Sequence, residues 1–282
     1  MRGDGDGWAV GPDGDRRWGK HGAAGLLLRA PLPDGRPAVL LQHRAAWSHQ
    51  GGTWALPGGA RDSHESTVDA AVREAHEETG IDVTAVAVRT ERVTAGLVGG
   101  WTYTTVVADT GIPLATVPNG ESTELRWVPE VEVEAMALHS GFAAAWPALR
   151  TRVVRVLLDT ANVLGSRPTG WWRDRPGATG ALLNELAAVL PRTLELPDGG
   201  FGWVTQIEAV LEGQAREAIV EDARIPVHTA TGSGDDELAR LAGATATLTS
   251  EVTVVVTADR GLRQRLPDTV IALSPTTVLD WL

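Results

Sequence analysis

The apolar runs of this chain change rhythm near Thr151, and that change constrains the fold more than any other feature. After it, "RVVRVLLD", "VTQIEAVLEG", "VTVVVTAD" and "VIALSP" read as strands, with "GALLNELAAVLP", "GDDELARLAG" and "GLRQRL" as helices between them. A continuous apolar run ending at Asp159 suits a strand buried on both faces, and strands alternating with helices predict βαβ units on a parallel sheet. Before the change, "AAGLLLRA", "PAVLLQHR", "VTAVAVRTERV" and "WTYTTVVADT" are strand-like and surround one clear helix, Glu65 to Thr79, closed by Gly80. Many strands with few helices predict an α+β unit. "GFAAAWPALR" predicts a further helix, which Pro147 strains beyond its first turn. The expected organisation is a flexible stretch over residues 1–20, a domain over 21–150 and a second, α/β domain over 151–282.

Composition narrows the partners. The net charge is -11 and the only lysine is Lys20, so a broad basic footprint for nucleic acid is not expected. A local acidic site loaded with divalent cations fits that balance. There is no cysteine, which excludes disulfides and thiolate metal sites and fits a cytoplasmic protein. The first residues, "MRGDGDGWAV", have no apolar core of the kind a signal peptide carries. No apolar run nears the roughly 18 residues that a membrane span needs, so no membrane partner is expected. Nothing in the sequence fixes the oligomeric state.

The densest chemistry lies between Leu56 and Ile81, "LPGGARDSHESTVDAAVREAHEETGI". Positions i, i+3 and i+4 share one helix face with Cβ atoms about 5–6 Å apart, which is the spacing of Glu74, Glu77 and Glu78. Three carboxylates on one face repel each other. A hard cation removes that cost, because Mg²⁺ and Mn²⁺ take oxygen ligands and keep waters that a phosphate can replace. Arg73 stands four residues before Glu77 and can orient a carboxylate. Glu65 is placed to hold the loop before the helix. Gly58 and Gly59 let backbone approach a metal or phosphate where a Cβ would obstruct. The competing reading of any such acid run is a solvated helix face.

The whole stretch resembles the Nudix box, G-x5-E-x7-R-E-U-x-E-E-x-G-U, in which U is a bulky apolar residue. Gly59, Glu65, Arg73, Glu74, Glu77, Glu78, Gly80 and Ile81 match, and Ala75 is small for its position. The resemblance implies an α/β/α-sandwich Nudix fold over about residues 20–150, and Mg²⁺- or Mn²⁺-dependent hydrolysis of a nucleoside diphosphate linked to a further group. On the matching positions it implies metal ligation by Glu74, Glu77 and Glu78, with one of them or its bound water as base. It further implies orientation of a glutamate by Arg73 and a backbone carbonyl from Gly58 or Gly59. Many members use a further acid from a loop outside the box, and "NGESTELRWV" offers Glu124, or Glu121, for that role. Trp101 and Tyr103 are candidates to stack a base, against a packing role for each. His64 and His76 sit at variable positions of the box and read as solvent-exposed. Oxidised deoxynucleoside triphosphates, ADP-ribose, dinucleoside polyphosphates and nucleotide sugars all remain open as the nucleotide substrate.

In the second half, acids stand where strands end: Asp159, Glu212 and Asp259, with Asp235 and Asp236 opening a helix. In an open parallel sheet the functional crevice lies outside the carboxyl ends of the strands. Acids converging there suit divalent metals, two of them about 3.5–4 Å apart for in-line phosphodiester cleavage. This half resembles a PIN-like domain of the NYN type, a group of metal-dependent ribonucleases. Asp159 with Asn162 in "LLDTANV", "GSGDDELARLAG" and "VVVTADRGLRQRL" carry the likeness. Glu212 departs from it, standing where aspartate is expected, and lysines are scarce. Arg167, Arg173, Arg175, Arg260, Arg263 and Arg265 are available to hold RNA instead, and Trp171 and Trp172 to stack on it. The alternatives are that Asp235 is only an N-cap, that Asp159 and Asp259 merely end strands, and that this half is a non-catalytic binding module.

Overall fold

The computed structural model describes residues 3–12, 14–96, 100–245 and 251–282. The chain divides into two compact units, Met1–Arg150 and Thr151–Leu282. Met1, Arg2 and Asp13 belong to the stretch expected to be flexible and lie outside the described residues. The rest of that stretch corrects the expectation. Trp8–Val10 pairs antiparallel with Arg16–Trp18, and the Trp8 and Trp18 rings meet edge to face with centroids 5.4 Å apart. The Gly5 amide donates to Asp62 at 2.7 Å, tying the segment to the loop before the acid-rich helix.

In the first unit a seven-stranded sheet runs in the order Trp54–Ala55, Pro37–Arg44, Ala23–Pro31, Thr102–Asp109, Ala87–Gly96. Gly58–Ala60 also pairs with Ala23–Pro31, and Ser122–Pro129 with Pro37–Arg44. Ala23–Pro31 and Thr102–Asp109 run parallel, and the other pairs are antiparallel. The Thr67–Thr79 helix lays Ala70, Ala71 and Ala75 onto Ala24, Leu26, Leu28 and Val106, all fully buried. Three alanines on one face bring the helix close to the sheet. That closeness sets the depth of the residues that follow them, because dense packing leaves no slack for side chains to drift.

The helix begins later than expected. Ser66 caps it with a reciprocal box to Asp69, so Glu65 belongs to the loop. Gly80 closes it in the left-handed conformation, φ 66°, donating to His76. The Ser140–Leu149 helix runs through Pro147. Phe142, Trp146 and Leu149 are buried on it, and that burial outweighs the hydrogen bond a proline cannot make.

In the second unit Thr151–Asp159 is the central strand. It pairs parallel with Glu251–Val256 on one edge, and with Phe201–Val204 and then Ile207–Leu211 on the other. The single strand expected from "VTQIEAVLEG" is therefore two, broken at Thr205 and Gln206. Val227–Thr229 and Ile271–Leu273 extend the sheet in parallel. Among the described strands of this unit, only Arg192–Glu195 runs antiparallel to its neighbour. Helices Arg175–Ala188 and Gly234–Thr245 supply Leu182, Leu183 and Leu186, and Leu238 and Leu241, to two separate apolar clusters. No described helix is long and apolar enough to cross a membrane.

Candidate active site

Arg73 organises the acids of the first unit. Its Nε and Nη2 donate to the two oxygens of Glu65 at 2.6 and 2.9 Å, a bidentate pair. Its Nη1 donates to Glu74 at 2.8 Å and lies 3.5 Å from Glu77. Its Nη2 also reaches the Ala60 carbonyl at 3.1 Å. The bond from Arg73 holds the Glu65 carboxyl below the usual carboxylate range. The same pair keeps Arg73 firmly charged. The ion pair fixes the loop against the helix, and the helix then presents Glu74 at a set angle.

Glu78 is a buried carboxylate and Glu74 a half-buried one. Burial raises Glu74, against the opposing pull of Arg73. Burial pushes Glu78 up to about 8, with the charges of Glu74 and Glu121 adding to it. Glu78 Oε2 accepts from the Gln42 amide at 2.9 Å and from the Gly58 backbone N–H at 2.8 Å. Gln42 is itself fixed by Ser122, whose hydroxyl donates to it at 2.6 Å. Among the described residues no hydrogen-bond donor meets the other oxygen of Glu78. Glu77 is the exposed member, its side chain 57% accessible.

The glycines have separate uses. A Cβ on Gly59 would stand 2.6 Å from the Glu74 carboxylate, so its absence keeps that carboxylate open. A Cβ on Gly58 would stand 2.5 Å from the Gly25 Cα, so here the space is filled by the neighbouring strand and not by a ligand. A Glu78 oxygen that meets no donor among the described residues, beside a second carboxylate left open by a glycine, is a donor set that fits a hard cation.

Glu124 does not join this group. The strand pairing shifts register between His43 and Arg44, and Glu124 falls opposite His43 on an exposed face, where Arg126 holds it at 2.5 Å. The loop acid whose charge acts on Glu74 and Glu78 is Glu121. Asn119 fixes that loop by accepting from the Glu121 amide at 2.8 Å and donating to the Glu77 carbonyl at 3.2 Å. The Trp101 indole N–H donates to the Gly19 carbonyl at 2.9 Å and so serves the N-terminal segment. The Tyr103 hydroxyl lies against Gly25 and Pro57, where burial and the charge of Glu78 hold it protonated. His76 is exposed, as the spacing predicts, with Nδ1 2.8 Å from the Ile81 carbonyl. His64 is grouped with Asp4 and Asp62, their ligand atoms within 4.8 Å of one another on the surface.

Reading the sequence missed Gln42, Ser122, Asn119 and Arg44. A faint signal existed for the first, a glutamine inside the apolar run "PAVLLQHR".

The second unit gathers acids at one edge of its parallel sheet. Asp159 accepts from the Thr257 hydroxyl at 2.7 Å and from the Asn162 amide at 3.1 Å. Asn162 in turn accepts from the Ala258 amide at 2.8 Å. Burial raises Asp159, with Asp235 and Glu212 adding to it. Asp235 is raised by burial and by Asp259 and Glu212. Glu212 accepts from the Gly234 amide at 2.7 Å, and Asp259 caps the Arg260–Arg265 helix through Leu262 at 2.7 Å. Asp236 is exposed and drawn away by Arg265 at 2.6 Å. Asp159, Glu212, Asp235 and Asp259 are thus near enough for their charges to act on one another, with Asn162 bonded to Asp159, while Asp236 is held by Arg265.

Comparison with known proteins places the first unit. The family model described as "NUDIX domain" matches residues 19–149. A protein of Mycobacterium tuberculosis named "Putative 8-oxo-dGTP diphosphatase 3" is 53% identical over 213 residues, covering 74% of this chain and 88% of that one. That share exceeds the length of the first unit, so the likeness continues into the second. A "Nucleoside triphosphate pyrophosphatase/Nudix hydrolase fusion protein" of Bifidobacterium longum is 39% identical over 53% of this chain and 32% of its own. The crystal structure of RenU, described as a Nudix hydrolase from M. smegmatis, is 63% identical over 51% of this chain and 91% of that one, with a TM-score of 0.50.

Proposed function

The chain belongs to the Nudix family and is a hydrolase acting on phosphoanhydride bonds; from that premise we propose that its substrate is an oxidised purine deoxynucleoside triphosphate such as 8-oxo-dGTP. The observation that carries the chemistry is the Arg73-centred acid cluster, and the substrate rests on the name of the M. tuberculosis relative. Water adds to one phosphorus, the P–O–P bridge to the other breaks, and nucleoside monophosphate and pyrophosphate leave with release of a proton.

Glu74, Glu77 and Glu78 would hold Mg²⁺ or Mn²⁺, which supplies neutralisation of phosphate charge and a more acidic bound water. Arg73 keeps Glu74 aimed while carrying its own charge away from the substrate, because Glu65 neutralises it. Glu77, exposed to solvent, takes the proton from the attacking water. Glu121, on the loop fixed by Asn119, adds negative charge that favours cation loading. The test is pyrophosphate release with Mg²⁺ from 8-oxo-dGTP, ADP-ribose, a dinucleoside polyphosphate and a nucleotide sugar. The expected result is that 8-oxo-dGTP is turned over fastest. Preference for any other of the four overturns the substrate.

A second reading concerns residues 151–282, a PIN-like domain of the NYN type that cleaves RNA with a divalent metal. Supporting it is the meeting of Asp159, Asn162, Glu212, Asp235 and Asp259 at the carboxyl edge of a parallel sheet. In the full chain, Asp159→Asn and Asp259→Asn should each abolish Mn²⁺-dependent RNA cleavage while nucleotide hydrolysis persists. A wild type that leaves RNA intact ends this reading.

A further inference from the structure

Arg44 has a charge that the cluster around Arg73 does not use. It stands at the irregularity where the Pro37–Arg44 strand loses register with Ser122–Pro129. Its backbone is pinned on both sides, N–H to the Thr53 carbonyl and carbonyl from the Gly52 amide, each at 2.9 Å. Its Nε donates to the His49 carbonyl at 3.1 Å. Among the described residues its terminal amines meet no carboxylate, although its charge acts on Glu78, Tyr103 and His139. An arginine held by its stem, half-buried and without a carboxylate partner among the described residues, has both terminal nitrogens to offer an incoming anion.

Tyr103 faces the same place. Its hydroxyl lies where a Cβ on Gly25 would collide with it, so Gly25 is the gap that admits it. The hydroxyl has no hydrogen-bond partner among the described residues. The nearby His139 is a poor rival for an anion. Burial, then Arg44 and His49, push His139 down to about 4, so it is neutral where Arg44 is charged.

Resting on the triphosphate reading above, we propose that Arg44 and Tyr103 form a subsite for the terminal phosphate of the substrate, which makes the chain select triphosphates over diphosphates. A guanidinium supplies only donors, charged ones, and the phenol adds an O–H beside it, which suits an anionic phosphate oxygen. The carboxylates serve the cleaved bridge, and this pair serves the charge beyond it.

The test compares wild type, Arg44→Gln and Tyr103→Phe in the full chain, each checked for an unchanged thermal midpoint. The first readout is the ratio of kcat/KM for 8-oxo-dGTP over 8-oxo-dGDP, expected to fall at least about tenfold in Arg44→Gln and less in Tyr103→Phe. A ratio that stays constant while both activities fall overturns the subsite. The second readout is calorimetric binding of inorganic tripolyphosphate and of pyrophosphate in Mg²⁺, which needs no turnover. Wild type should prefer tripolyphosphate and Arg44→Gln should lose that preference. If wild type hydrolyses neither nucleotide, the substrate reading falls, and the binding pair alone decides the subsite. Preference retained in Arg44→Gln then contradicts it.

Discussion

The two acid groups of this chain are held by different kinds of partner. In the first unit an arginine ties the acids together, with Glu65, Glu74 and Glu77 within 3.5 Å of Arg73. In the second the acids lean on backbone amides and one hydroxyl: Asn162 N–H and Thr257 for Asp159, Gly234 N–H for Glu212, Leu262 N–H for Asp259. Arg175 comes only to 3.9 Å from Glu212. A charged organiser concentrates the risk of the first group in one side chain. Distributed neutral donors spread it across three strand ends. The first group is also local, written within one loop and one helix, whereas the second requires the whole parallel sheet to assemble before its members meet.

That comparison can be broken most forcefully at Arg73. Arg73→Gln leaves Glu65 without its bidentate partner and Glu74 without its aim, and turnover should fall by about 10–100-fold, as for other groups that orient metal ligands. Unchanged turnover would show that the helix alone positions the acids.

The next effect is on stability against pH. The folded pKa of Glu78 is raised to about 8 from an ordinary value of 4.5, so between those values the folded protein holds a proton that the unfolded chain releases. The stability from the neutral acid is present below that window and is lost as pH rises through it. With a chelator present, Glu78→Gln should therefore gain in thermal midpoint relative to wild type between pH 5 and 9. A constant difference across that range would contradict the burial of this acid.

In the second unit, Thr257→Val removes one donor from buried Asp159 and should cost about 1–3 kcal/mol in chemical denaturation. It should leave nucleotide turnover untouched. A matching loss of turnover would mean that the two groups do not act independently.

The smallest effect sharpens the loop assignment. Glu121→Gln should lower turnover more than Glu124→Gln does, since only Glu121 acts on Glu74 and Glu78. The reverse order would return Glu124 to the site.

What was legible in the sequence follows the same division. Helical spacing alone aligned Glu74, Glu77 and Glu78, and the Gly80 cap fixed where the helix stops, because these are local rules. The parallel order of the second sheet was legible from alternating runs. Gln42, Ser122 and Arg44 were not, and Glu121 was legible only as the alternative to Glu124. They reach the site through the pairing of Pro37–Arg44 with Ser122–Pro129, whose register shift beside His43 leaves Glu124 opposite His43. The split at Thr205 and Gln206 was hidden for a similar reason: both pieces are apolar, and only their pairing with opposite ends of Thr151–Asp159 separates them. The N-terminal pair escaped because glycine and aspartate mask two tryptophans that meet edge to face only after the chain turns back.

The most direct test of the central claim is Mg²⁺-dependent hydrolysis of 8-oxo-dGTP by the full-length protein, wild type beside Glu77→Gln and Asp159→Asn. Glu77→Gln should lose about 10³-fold, the scale of a proton-accepting group, and Asp159→Asn should match wild type. Full activity in Glu77→Gln would contradict the account, because the acids of the Thr67–Thr79 helix would then not carry the reaction.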